Sequence, residues 1–168
     1  MVVQFEKETD GVLLLCSKKG LKKYYEKREF NYDFPEGIIP LVNQGIIAAI
    51  VTESGDDVTG EILVMEGMND KENYTLSSEN KLFIEPEDDI FVLSHSEFTQ
   101  ICDQYQGDID RFDFWNEKIM ISNLRSGWAF LFIHTKVSDE IPYINIIFQL
   151  TFSTIEPPYE NVNSISAV

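Results

Sequence analysis

Five apolar side chains occupy every second position near the C-terminal end of the chain: Ile144, Ile146, Phe148, Leu150 and Phe152. Asn145, Ile147, Gln149 and Thr151 stand between them. This period of two is the signature of a strand with one face on a core. Burying five such side chains, at roughly 1.5–3 kcal/mol each, supplies a large share of the favourable energy of a small domain. This strand anchors the fold, and the rest of the chain has to be read around a sheet.

Other runs fit that sheet. VVQF and VLLLC read as short strands around a turn at Thr9, Asp10 and Gly11. IIAAIVT at 46–52 and EILVMEG at 61–67 read as a hairpin across the acidic loop ESGDDVTG. YTLSS, KLFIE and DIFVLS extend the series, and FWNEKIMIS, GWAFLFIHTK and YINIIFQLTF follow with turns at LRSG and SDEIP. SHSEF carries the clearest helix start. Ser94 and Glu97 make a capping box, and Phe98, Ile101, Cys102 and Tyr105 share one face, so a helix is expected over 95–106, ended by Gly107. KKGLKKYYEKR and IIPLVNQG add one or two shorter helices. The expected architecture is α+β: an antiparallel twisted sheet or half-barrel of about seven to nine strands with helices packed on it. Residues 1–153 form one domain, and the Pro-containing segment 154–168 is expected to be a loosely held tail.

The formal net charge of −16 narrows the partners. A strongly acidic surface is repelled by phosphate backbones and anionic lipids, so neither nucleic acid nor membrane is expected as a direct partner. Six of the thirteen basic residues crowd into 18–28, where Glu26 is the one acid. They either pair with the protein's own carboxylates or meet an acidic part of a partner. The N-terminus has no basic lead and no apolar run of signal length, and no apolar stretch reaches a membrane span, which reads as a cytoplasmic protein.

Few residues ask for catalysis. His95 and His134 have no evident partner, and Cys16 and Cys102 lie in apolar segments as small hydrophobes. Phosphate loops, HExxH, paired CxxC and GxSxG are absent, and neither acidic cluster has EF-hand spacing. No cofactor or metal is expected. Acids instead recur in three loops: Asp56, Asp57 and Glu61; Glu85, Glu87, Asp88 and Asp89; and Asp108, Asp110 and Asp113, the last beside Phe112, Phe114 and Trp115. An aromatic anchor among carboxylates has the composition of a protein-binding hot spot, so these acids and Trp115 are the candidate partner-binding residues. The competing reading makes the three aromatics core residues. A separate possibility is a small-ligand or carbohydrate-binding module, or an enzyme, using a sheet concavity near Trp128 and His134.

A single acidic domain without catalytic motif, with helix, strand, acidic turn and strand in GIIPLVNQGIIAAIVTESGDDVTGEILV and a turn feeding a long strand in NLRSGWAFLFIHTK, resembles the small immunity proteins of bacterial contact-dependent inhibition and other polymorphic toxin systems. The resemblance implies a monomer or homodimer that binds one cognate toxin, often a basic nuclease, and blocks it without chemistry. Its carboxylates would stand in for phosphates, and an exposed strand edge would receive part of the toxin.

Overall fold

The computed structural model describes residues 1–52, 57–64, 74–137 and 144–168. Along the chain run β1 (Val2–Glu8), β2 (Val12–Ser17), α1 (Lys18–Tyr25), α2 (Ile39–Asn43), β3 (Ile47–Val51), β4 (Asp57–Val64) and β5 (Thr75–Ile84). Then come β6 (Ile90–Ser94), α3 (His95–Gln104), a 3₁₀ turn (Ile109–Arg111), β7 (Met120–Ile121), β8 (Gly127–Val137) and β9 (Ile144–Phe152). The fold is α+β, built as two sheets and not as a closed barrel.

The sheets and helices form three layers. One sheet has the order β1-β4-β9-β8-β5, the other β3-β2-β6-β7. Phe148, Leu150, Leu131 and Ile62 of the first sheet face Leu13, Leu15, Ile50 and Val92 of the second across one core. On the far side of the second sheet, Leu14, Cys16, Ala49 and Leu93 receive Leu21 and Tyr25 from α1, Leu41 from α2, and Phe98 and Ile101 from α3. This explains two kinds of strand in the sequence. β2 and β6 are sandwiched and read as unbroken apolar runs, every residue buried. β8 and β9 alternate, with Ile146, Phe148 and Leu150 fully buried on the core face as their period requires, and Ile147 on the opposite face of β9 is buried too.

Several pairings differ from expectation. The segments 46–52 and 61–67 do not form a hairpin: β3 pairs with β2, whereas β4 pairs antiparallel with β1 and parallel with β9. Residues 65–67 of that expectation lie outside the described residues. Strands β1 and β2 flank their turn but belong to different sheets. The parallel β4–β9 contact breaks an otherwise antiparallel pattern because the direction of β4 is set by β1 and that of β9 by β8, with many elements intervening. YTLSS and KLFIE form one strand with a register shift between Leu76 and Ser78. FWNEKIMIS contributes two strand residues, since Phe114 turns to stack on Phe91.

The capping box is present: the Ser94 hydroxyl accepts from the Glu97 amide, and the Glu97 carboxylate accepts from the Ser94 amide. α3 ends at Gln104, and Gly107 follows with φ of 76°, its amide donating to Ile101 O. A Cβ there would lie 2.4 Å from Leu21 O, so only glycine allows α1 to pass this closely.

The segment expected to hang loosely is tied down. Asn43 holds Val162 by two hydrogen bonds, and Val51 donates to Ser166 O and accepts from the Val168 amide. Tail residues thereby cover the edge of β3.

Cys16 and Cys102 are free and buried, and burial raises the pKa of both thiols. A thiol-specific disulfide reagent at mildly alkaline pH is expected to label neither in the native protein and both in urea. Rapid labelling of a native thiol would mean that the helical layer opens.

An acidic strand edge as the candidate functional site

The basic stretch finds its partners within the protein. α1 begins at Ser17, whose hydroxyl accepts from the Gly20 amide, and its lysines spread over the loops around it. Lys18 Nζ lies 3.0 Å from Asp110 and 3.7 Å from Asp89. Lys22 lies 3.8 Å from Asp108, and Lys23 lies 2.9 Å from Glu85. The hydrogen bond to Asp110 raises the Lys18 pKa above the ordinary lysine value. Each exposed pair stabilises by only about 0–1 kcal/mol, but together they cancel charge. Two of the three acidic loops are thus drawn around one helix, where Glu85, Asp89, Asp108 and Asp110 pair with three of its lysines.

Asp88 serves differently from the rest of its cluster. It is buried, at 1% exposure, and its carboxylate accepts from Ser17 Oγ and from the amides of Lys19 and Glu85. A partner cannot reach it, which removes Asp88 from the docking residues. Asp89 also accepts from Ser122 Oγ. Glu87, at φ of 57°, and Asp113 are exposed, and among the described residues neither has an ion-pair partner.

The aromatic cluster divides. Phe112 is buried and meets Phe114 edge to face at 4.8 Å, and Phe114 stacks on Phe91, so both belong to the helix-side core. Trp115 is 66% exposed, touching Phe112 at 5.9 Å between centroids.

Of the remaining candidates, Asp57 and Glu61 belong to β4 of the first sheet. Asp56 is outside the described residues, as is the side chain of Asp57, whose backbone pairs with Glu8. Glu61 stands opposite Gln4. The described candidates therefore divide: Glu85, Asp89, Asp108 and Asp110 sit around α1, and Glu61 lies on β4.

Beside β4 lies the feature the sequence reading passed over. β1 ends its sheet and, among the described residues, pairs only with β4. The Val64 amide donates to Met1 O, which sets the phase of that ladder. By alternation Val3, Phe5 and Lys7 bond to β4, and the backbone groups of Gln4, Glu6 and Glu8 point outward. Of the other edges, β3 is covered by the tail, and β5 is met at Phe83, whose amide donates to Gly45 O. β7 has two residues. An open groove of about 930 Å³ runs along β1, lined by Gln4, Glu6, Glu8, Thr59, Glu61 and Asn145, with Glu117 and Lys118 opposite. Glu6, Glu8 and Glu117 have no ion-pair partner among the described residues. A signal for Glu6 and Glu8 was present in VVQFEKE, where period two puts both acids on one face.

The proposed concavity at Trp128 and His134 separates as well. Both project from the same face of β8, but His134 pairs with Gln149 at 3.1 Å, while Trp128 lines a different cleft of about 380 Å³. Among the described residues no three His, Cys, Asp or Glu side chains converge on a possible cation position. No described helix is long and apolar enough to cross a membrane.

Comparison with known proteins reaches the architecture. No protein-family model and no curated protein matches the chain. A solved structure described as "Crocagin biosynthetic gene J" is similar, with a TM-score of 0.55 and 9% identity, over 89% of this chain and 96% of that one. At that identity the likeness carries the fold alone.

Proposed function

We propose that the protein is a non-catalytic inhibitor of the immunity kind, acting in the bacterial cytoplasm by binding a basic toxin domain. The observation that carries this reading is the β1 edge, where outward-facing backbone groups and carboxylates without an ion-pair partner among the described residues occur together, at Glu6 and Glu8. An extended segment can add to such an edge through main-chain hydrogen bonds, and Lys or Arg side chains on it would meet the acids. Glu61, Glu117 and the exposed Trp115 extend the contact, whereas Asp89, Asp108 and Asp110 are held by α1. Net charge of −16 steers a basic partner toward this surface and disfavours nucleic acid and anionic membranes.

Co-expression with the product of the adjoining upstream reading frame tests the reading. If that product is toxic, this chain should restore growth. Association between the purified pair should slow at least about tenfold as salt rises from about 50 to about 500 mM. The E6K/E8K variant should associate about tenfold more slowly, while Asp110→Asn stays within about twofold of the parent. An association rate insensitive both to salt and to E6K/E8K would overturn the proposal.

A further inference from the structure

Three aromatic rings stand half-buried around the 380 Å³ cleft: Tyr24 from α1, Phe83 from β5 and Trp128 from β8. Phe83 and Trp128 belong to neither core, so core packing does not account for them. Their positions are nevertheless defined. The two rings meet at 5.0 Å with an interplanar angle of 66°. Trp128 also rests on Gly45, where a Cβ would come within 2.8 Å of the indole, and Lys81 lies 5.5 Å from the ring centroid. Tyr24 is held by the Arg28 guanidinium, 4.3 Å from its centroid, and by Tyr25 at 4.9 Å. The rings are therefore placed before any ligand arrives, which lowers the ordering cost of binding.

The charge at this cleft runs against the character of the molecule. Among the described residues Lys23 and Arg28 line it with one carboxylate, Glu85, which is paired with Lys23. Arg28 has no carboxylate partner among the described residues. One of its nitrogens donates to Tyr24 O, leaving other donors available. In a protein of net charge −16, this is an aromatic slot with a cation left over at its rim.

We infer that the Tyr24–Phe83–Trp128 cleft binds a small organic anion with one flat ring, of the arylacetate class. The ring lies against the aromatic walls and the carboxylate is hydrogen-bonded by Arg28. Planar stacking and a charge-assisted guanidinium bond are the two recognition elements available there. The site is separate from the β1 groove and does not depend on the inhibitor reading.

The test uses the full-length protein carrying Trp115→Phe, so that Trp128 is the one tryptophan reporter. Phenylacetate is titrated against its emission, with phenylacetamide as the neutral match. Saturable change with a Kd of about 1 mM is expected for the acid, in keeping with so small a ligand, and about tenfold weaker binding for the amide. Arg28→Gln should bring the acid down to the level of the amide. Phe83→Leu should weaken both. Circular dichroism and the unchanged melting of Arg28→Gln, a substitution at an exposed residue, separate loss of binding from loss of fold. No saturable response to about 20 mM phenylacetate, or equal binding of acid and amide to the parent, would overturn the assignment.

Discussion

Replacing Glu97 by alanine is expected to destabilise the fold by about 3–5 kcal/mol, the usual consequence of removing one member of a buried ion pair. The side chains of Lys7 and Glu97 are 5% and 6% exposed and pair with each other. Glu97 also accepts from the Ser94 amide, completing the capping box of α3. In Glu97→Ala the Lys7 ammonium would remain buried, with the Phe114 ring centroid 5.9 Å away. The pair ties β1, in the first sheet, to the helical layer beyond the second. Its loss should therefore loosen the edge strand as well as α3. Urea denaturation measures the effect, and amide exchange locates it. Glu97→Gln, which keeps the cap acceptor but not the charge, should fall between parent and alanine variant. Lys7→Met combined with Glu97→Leu should recover much of the loss, because two apolar groups leave no charge unpaired. A Glu97→Ala protein within about 0.5 kcal/mol of the parent would show that water reaches Lys7 after all.

Asp88→Ala should cost about 2–4 kcal/mol, from the loss of three hydrogen bonds to a buried carboxylate. Ser17 connects that loss to α1, since its hydroxyl donates to Asp88 while accepting from the Gly20 amide. The turn 85–89 and the start of α1 are thus held together. Releasing them would free Lys18 and Lys23 from Asp89 and Glu85. Asp88→Asn, which retains one acceptor oxygen, should lose less. The measurement also distinguishes two roles for an acid that was a docking candidate by sequence. A structural Asp88 lowers the denaturation midpoint, whereas a docking Asp88 would lower partner affinity and leave the midpoint unchanged.

Much of the secondary structure was legible because its causes are local. Ser94 and Glu97 are three residues apart and cap the same turn. The alternation of Ile146, Phe148 and Leu150 needs nothing beyond the strand itself. Pairing was a different matter. β3 and β4 follow one another and both read as strands, yet one joins β2 and the other lies between β1 and β9. Periodicity reports which face of a strand is apolar and is silent on its neighbour. The acids posed the same difficulty. EPEDDI reads as a uniformly negative tip, but its four carboxylates have four fates: Glu85 pairs with Lys23, Glu87 points to solvent, Asp88 is buried, and Asp89 meets Lys18 and Ser122.

From its residues alone this chain was bound to form strands and capped helices around a large apolar core, under a strongly negative total charge. Those properties follow from short-range sterics, hydrogen bonding and composition. Which carboxylates remained unpaired, which edge stayed open and which aromatics were left outside the core were settled by folding. Each depends on segments distant in sequence being brought within a few ångströms, where burial and ion pairing act.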